Sequence, residues 1–178
     1  MPFRFIAAKL LDLICPRSCL GCAGLLEDEE PCRYLCSICA RRIDWVEFPY
    51  CTKCGYPFFG ELLTGRDCPN CIALNPTFEE GRVAFLLSGI GQSLVHAFKY
   101  RGIIRFFDDL PCLLEKAPGY LDFLRGAVLV PVPLHERRLR ARGYNQSELI
   151  ARTLANMVEG ATFAPLLTRT KYTPTQTD

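Results

Sequence analysis

Four pairs of cysteines with CxxC spacing constrain this chain more than any other feature. The pairs are Cys19/Cys22, Cys36/Cys39, Cys51/Cys54 and Cys68/Cys71. Each cysteine of the first two pairs has a counterpart 32 positions later, from 19 to 51 through 39 to 71. The segments CLGC-x13-CSIC and CTKC-x13-CPNC therefore share one spacing, which indicates a duplicated unit.

Structural zinc explains this spacing. A CxxC turn places two thiolates on one side of a tight loop, and two such turns supply four tetrahedral sulfur ligands. Because a strict repeat implies units that could each bind metal alone, we favour sequential pairing over an interleaved arrangement, which stays open. The predicted ligand sets are Cys19, Cys22, Cys36 and Cys39 for one Zn²⁺, and Cys51, Cys54, Cys68 and Cys71 for the other. Four thiolates leave no open coordination position, so both ions should be structural. A redox protein or an iron–sulfur centre is the alternative.

The remaining composition bears on compartment and partners. The chain has 178 residues and 11 cysteines, and ten of these cysteines precede residue 72. A secreted disulfide scaffold would need a signal peptide, but charged residues interrupt the first 15 positions, which predict a short amphipathic helix over 1–16 instead. No apolar run approaches the ~20 residues of a membrane span. We therefore expect a cytoplasmic protein without membrane insertion, in which Cys15, Cys32 and Cys112 are packing residues.

The sequence pattern changes near residue 80, which predicts a double zinc ribbon over 17–79 and an α/β domain over 80–178. Residues 82–88 and 126–134 read as strands, the second as a continuous apolar run typical of burial on both faces. Helices are predicted over 91–102, 106–117 and 145–160. A strand followed by a basic loop and a helix is the unit of a parallel α/β sheet.

The stretch PVPLHERRLRARGYNQ, residues 131–146, carries four arginines within six positions. In parallel α/β sheets, ligands bind beyond the carboxyl ends of strands, where the next helix begins and its N–H groups attract anions. Arginine suits phosphate because its planar fork makes paired hydrogen bonds. The pattern predicts a phosphate-binding loop, with a merely solvated charged loop as the alternative. A net charge of +2 is too small to indicate nucleic acid binding by itself.

Two other groups of residues could have a functional role. Asp108 and Asp109 superficially resemble a diphosphosugar site but lack a following Thr- and Gly-rich loop, so we predict surface or helix-cap residues. Six aromatic residues of the ribbons could stack on single-stranded DNA, although a small core is the favoured interpretation. They are Trp45, Phe48, Tyr50, Tyr56, Phe58 and Phe59.

The chain resembles the ComF family of bacterial competence-associated proteins. The resemblance rests on CPRSCLGC, LCSIC, CTKCGYP, CPNC, HAFKYRG, VPVPLHERRLRARGYNQSELIA and LTRTKYTPTQT. It implies a double zinc ribbon joined to a type I phosphoribosyltransferase-like domain, and a part in DNA uptake. It also implies that one set of residues lies at the pyrophosphate end of a phosphoribosyl diphosphate (PRPP) site: Arg137, Arg140, Arg142, Gly143, Asn145 and Gln146. Arg169, Thr173, Gln176 and Thr177 match a second family element, to which we assign no role.

The resemblance has one departure. Family members continue with an apolar strand, an acidic pair and a TTG-type loop that grips the ribose phosphate, whereas this sequence stops at Asp178. We therefore expect an incomplete, truncated phosphoribosyltransferase-like domain with little or no turnover and no assigned catalytic residue. Mg²⁺ is expected only with the complete PRPP site. The competing hypothesis is a module that binds single-stranded DNA or competence proteins without transferase activity.

Overall fold

A computed structural model describes residues 17–27, 30, 32–59, 67–100 and 107–174. The helix predicted for residues 1–16 and the residues Cys15, Gln176 and Thr177 lie outside this described part. Within it, no helix combines the length and the apolar character that crossing a bilayer requires.

The cysteine repeat is also a repeat of backbone structure. In the first unit (ribbon 1, residues 17–43) the Ser18 bridge to Leu25 is antiparallel, and in the second (ribbon 2, residues 49–75) the bridge joins the equivalent Tyr50 and Pro57. The left-handed backbone also recurs 32 positions apart, with φ of 61° at Ala23 and 73° at Gly55. Each unit ends in a short helix that contains its last CxxC cysteine: α1 (Ser37–Arg41) and α2 (Pro69–Leu74).

The remainder alternates helices with a small sheet. Helices α3 (Gly89–Tyr100), α4 (Leu110–Leu114) and α5 (Tyr120–Phe123) precede strand β1 (Val128–Leu129). Helices α6 (Glu136–Arg142) and α7 (Gln146–Met157) then connect β1 to strand β2 (Thr162–Phe163). The two strands are parallel, with Val128 opposite Thr162 and Leu129 opposite Phe163. The predicted strand–helix–parallel strand unit is therefore present, and the helix predicted over 145–160 corresponds to α7.

Both predicted strands are shorter than expected. Residues 82–88 form a single antiparallel bridge, from Phe85 to Trp45, rather than a strand. The run 126–134 is a strand only at Val128 and Leu129, and Val128 is 59% exposed, so the expected burial on both faces is wrong. Pro131 and Pro133 lack the N–H needed to extend the ladder, which accounts for its early end.

One apolar core joins ribbon 1 to the helices. Its buried members include Leu35 and Ile43 from ribbon 1, Leu94 and Phe98 from α3, and Leu154 from α7. In the described part of ribbon 2, the buried side chains of Cys51, Cys68 and Cys71 form a separate cluster, with Cys54 and Phe58 packed against them. The two halves of the repeat therefore fold in different surroundings.

Candidate functional site

The eight CxxC cysteines form two tetrads, in the sequential pairing predicted from the repeat. Within each tetrad the four Sγ atoms lie within 4.8 Å of one another. The Sγ–Sγ distances are 3.6 Å for Cys19–Cys36 and 3.7 Å for Cys54–Cys68. Sulfurs bound at 2.3 Å to a tetrahedral zinc lie about 3.8 Å apart, whereas disulfide sulfurs lie about 2.05 Å apart. The donor set and its spacing fit two structural zinc ions.

Backbone N–H groups point at the ligand sulfurs in both ribbons. The Cys36 amide donates to Cys19 Sγ at 3.4 Å, and the Cys68 amide donates to Cys51 Sγ at 3.2 Å. Burial raises the pKa of the Cys19 thiol, but these amide donors outweigh burial and lower the pKa to about 7. The same balance lowers the pKa of Cys51 to about 7. Each ribbon therefore holds one sulfur that readily becomes the thiolate a metal needs.

Gly55 shows why the second ribbon needs a glycine after its first CxxC pair. Its φ is +73°, and an added Cβ would lie 2.9 Å from the Gly81 carbonyl oxygen and 3.0 Å from Arg82 Cα. The Gly55 amide donates to the Cys51 carbonyl at 2.8 Å rather than to a sulfur. The glycine allows the turn and its close contact with the chain at 81–83.

The basic segment is a short helix rather than a loop. The His135 side chain caps the start of α6 by accepting from the Arg137 amide at 3.2 Å. Gly143 ends α6 in the left-handed region, with φ of +84°. Two residues later, Asn145 begins α7. The arginines therefore lie on α6, between the carboxyl end of β1 and the amino end of α7.

The predicted anion ligands make different contacts. Arg140 pairs with Glu136 at 2.8 Å, one helical turn away, and both side chains are mostly exposed. Arg142 donates to Gln146 Oε1 at 2.5 Å, so these two predicted ligands bond to each other. The predicted residues lie on α6 and at the start of α7, where Asn145 is buried, and their role as PRPP ligands stays a prediction.

Asn145 fixes how α7 starts. Its Oδ1 accepts from the Ser147 amide at 3.1 Å, which caps the helix, and its Nδ2 donates to the Val132 carbonyl at 3.0 Å. The adjacent Tyr144 is buried, and its hydroxyl donates to the Phe98 carbonyl of α3. These side chains bond to the protein itself, so they position the turn.

The segment 169–173 folds back onto α6, which sequence reasoning did not anticipate. The Tyr172 ring lies 4.9 Å from the Arg137 guanidinium and 5.4 Å from that of Arg138. Arg138 also donates to the Thr173 carbonyl at 2.7 Å, and Arg169 bonds to the Thr173 hydroxyl. Three arginines thus gather around Tyr172 and Thr173. Only the shared family motif in the sequence pointed to this segment.

Asp108 is exposed, as predicted, whereas Asp109 is buried, so of the predicted surface or helix-cap positions only the helix-cap position applies to it. Asp109 occupies the N-cap position of α4, but its carboxylate accepts from the backbone amides of Arg33 at 2.7 Å and Tyr34 at 2.6 Å. Burial raises the pKa of Asp109, against the lowering effect of these two donors. Asp109 therefore connects α4 to ribbon 1.

Five of the six ribbon aromatics divide into two groups, and the sixth, Tyr50, is half-buried and packs edge-on against Phe48. Trp45 packs edge-on against Phe85 beside the main core, and Phe58 packs on the second tetrad. Three others are largely exposed: Phe48 at 79%, Tyr56 at 54% and Phe59 at 73%. The favoured prediction of an aromatic core is thus wrong for these three.

Comparison with known proteins agrees with the tetrads. Residues 10–72 match the double zinc ribbon domain family. The chain is 28% identical over 163 residues to Competence protein F of Haemophilus influenzae, covering 89% of this chain and 68% of that protein. It is 29% identical over 146 residues to DNA utilization protein YhgH of Salmonella typhimurium, covering 80% of this chain and 63% of the relative. For Competence protein ComFC of Bacillus subtilis the identity is 27% over 132 residues, covering 70% of this chain and 53% of the relative. No solved structure matches the chain.

The fold and the two tetrads define a double zinc ribbon protein. Taken with the named relatives, they confirm the resemblance to the ComF family read from the motifs. The chain spans about two thirds of the first relative's length and less of the others'.

Proposed function

We propose that this protein acts in DNA uptake during natural competence, and that its basic segment 135–146 binds the pyrophosphate end of PRPP in a phosphoribosyltransferase-like domain. The names of the relatives, competence protein and DNA utilization protein, support the first part. The position of the arginines supports the second part and is the observation that carries it.

The argument for the anion site starts from the β1–α6–α7 connection. Ligands of parallel α/β sheets bind where strands end and helices begin, and N–H groups at a helix start favour negative charge. Arg137, Arg140 and Arg142 lie on α6 between those two ends. Arg140 pairs with Glu136, and Arg142 pairs with Gln146, in each case four residues away. An incoming diphosphate can replace both contacts with charge-assisted hydrogen bonds.

The proposal covers the diphosphate end of the ligand alone. The ribose phosphate end would need the acidic pair and TTG-type loop of the family, and we assign neither within residues 1–178. Where such a loop is present, its carboxylates would hold Mg²⁺, which prefers oxygen ligands and bound phosphate.

Isothermal titration of the zinc-loaded protein with inorganic pyrophosphate and with PRPP tests this site. Each lost charged hydrogen bond costs about 1.5–3 kcal/mol, so Arg137→Ala or Arg142→Ala should weaken binding about 10- to 100-fold. Arg125→Ala is the matched control, because Arg125 is also exposed but precedes β1 and pairs with Asp122. No measurable heat with wild type, or equal losses in the control, would refute the site.

A second function is favoured by the exposed aromatic residues in and next to ribbon 2. Proteins that bind single-stranded nucleic acid combine basic grooves with aromatic rings on which bases stack. Phe48, Tyr56 and Phe59 offer such rings, and Arg82 lies 4.8 Å from the neighbouring Tyr50 ring. The alternative is thus a single-stranded DNA-binding module that needs no transferase activity.

Fluorescence anisotropy with a labelled single-stranded oligonucleotide separates the two proposals. Stacking contributes about 1–3 kcal/mol per base, so alanine at Phe48 or Phe59 should weaken DNA binding at least fivefold and leave pyrophosphate binding unchanged. Leu74→Ala is the control, because Leu74 is an equally exposed apolar residue of ribbon 2. An affinity for the oligonucleotide that changes neither with salt concentration nor with the aromatic substitutions would exclude the DNA-binding function.

A further inference from the structure

Cys32 and Cys112 are the two described cysteines outside the tetrads, and they lie against each other. Their Sγ atoms are 2.9 Å apart although the residues are 80 positions apart in the chain. The sulfur pairs measured inside the first tetrad, Cys19–Cys36 and Cys22–Cys36, lie at 3.6 and 4.0 Å. The Cys32 and Cys112 sulfurs are thus in direct contact, closer than two ligands of one metal ion.

The contact is set by bonds that do not involve sulfur. Cys32 lies in ribbon 1 and Cys112 lies in α4. Asp109, at the start of α4, accepts from the amides of Arg33 and Tyr34, the two residues that follow Cys32. These hydrogen bonds hold residues 32–34 against α4, so the thiols meet without a covalent bond between them.

We propose that Cys32 and Cys112 form a reversible disulfide that joins ribbon 1 to α4 covalently. The oxidant is a small-molecule disulfide, for which oxidised glutathione serves as the probe. The Cys112 thiolate attacks one glutathione sulfur, the glutathione S–S bond breaks, and the released thiolate takes the proton that Cys112 gave up. Cys32 then attacks Cys112 Sγ in the mixed disulfide and expels the second glutathione, which takes the Cys32 proton. Two electrons pass from the protein thiols to glutathione.

The surroundings of the two cysteines set this order. Cys112 is partly exposed, whereas Cys32 is 1% exposed, so Cys112 is the sulfur that a soluble disulfide reaches. Burial, together with the hydrogen bond and the charge of Cys112, raises the pKa of Cys32 to about 12. Cys32 therefore remains a thiol until the mixed disulfide forms beside it.

The disulfide would couple ribbon 1 to the proposed anion site. Helix α4 packs against α7, whose first turn follows the basic helix α6. Closing a loop of about 80 residues removes much chain entropy from the unfolded state, which should raise the Tm on the order of 10 °C.

Oxidation of the zinc-loaded protein with oxidised glutathione tests the proposal, with reduced glutathione as the reference. Intact mass should fall by two hydrogen atoms, peptide mapping should join Cys32 to Cys112, and both zinc ions should stay bound. The Tm should rise as estimated and return on reduction. Cys32→Ser should stop at the mixed disulfide and carry one glutathione on Cys112, whereas Cys112→Ser should acquire none.

Two results would overturn the proposal. One is the absence of a Cys32–Cys112 link in protein that keeps its zinc. The other is a link that appears only after zinc release, since it would follow oxidation of the tetrads. Peptide mapping uses the wild-type chain, so the test stands even where a serine variant fails to fold.

Discussion

The two ribbons should respond differently to the loss of their metal. Cys39 and Cys71 occupy equivalent positions in the repeat, 32 residues apart, so Cys39→Ser and Cys71→Ser are the same chemical change in two surroundings. Each variant should lose one of two zinc ions. We expect Cys39→Ser to destabilise the whole protein, and Cys71→Ser to unfold ribbon 2 alone.

The size of the difference follows from the core. Ribbon 1 contributes the fully buried Leu35 and Ala40 and the buried Ile43 to the main core. Exposing one Leu and one Ile costs about 1.5–3 kcal/mol each, so the loss is roughly 3–6 kcal/mol before any change at the metal. Domains have total stabilities of about 5–15 kcal/mol. The described residues of ribbon 2 belong to a separate cluster made mainly of its own cysteines, so unfolding of ribbon 2 should remove little apolar contact from the main core.

Thermal unfolding followed by circular dichroism, with zinc measured by elemental analysis, provides the assay. At about 2–4 °C per kcal/mol for a chain of this size, Cys39→Ser should lower the main Tm by about 6–24 °C or abolish the transition. Cys71→Ser should shift it by less than about 3 °C, while limited proteolysis cuts within residues 49–75. Equal shifts in the two variants, with one zinc lost from each, would refute the argument from separate cores.

Three further substitutions test particular contacts. In denaturant unfolding, Gly55→Ala should lower the stability by about 2–4 kcal/mol, because the added Cβ crowds residues 81–83 and the backbone is left-handed. Gly119→Ala should lower it by only about 1–2 kcal/mol, because Gly119 has φ of +66° but no atom within 4 Å of the added Cβ. Asn145→Ala should lose about 1–2 kcal/mol with the α7 cap, while Asn145→Ser, which lacks the same Nδ2 donor but keeps a cap acceptor, should lose less, and equal losses would argue against capping. Asp109→Ala should lower stability by about 2 kcal/mol by leaving two amides without their acceptor, and Asp108→Ala, at the exposed neighbour, should change it by less than about 0.5 kcal/mol.

The metal sites were predictable from the sequence because their information is local. Each CxxC turn fixes two ligands, and the 32-residue repeat favoured the pairing of turns. Helix α7 was predictable for a similar reason, since its apolar spacing and its Asn145 cap lie within one segment. In both cases the residues that determine the structure are close in the chain.

The errors concern contacts between distant segments. The apolar run 126–134 predicts a buried strand, but Pro131 and Pro133 limit its ladder and Val132 is 68% exposed. In the sequence Asp109 resembles a surface acid, but in the structure it accepts hydrogen bonds from the amides of residues 33 and 34, which are distant in the chain. Exposure of the ribbon 2 aromatics likewise depends on which surfaces the rest of the chain covers.

The same contacts give the two copies of the duplicated unit different surroundings. Both ribbons keep the same turns and the same kind of tetrad, so metal binding is independent of what surrounds each unit. Ribbon 1 buries its apolar face against α3 and α4, and Asp109 and the Cys32–Cys112 contact join it to the helices. Among the described residues, none of ribbon 2 belongs to that core, and Tyr56 and Phe59 of ribbon 2 are exposed to solvent, as is Phe48 just before it. Because the second tetrad fits a structural zinc ion, ribbon 2 can be stable without a large apolar core, which leaves the exposed aromatic side chains available for the proposed DNA-binding surface.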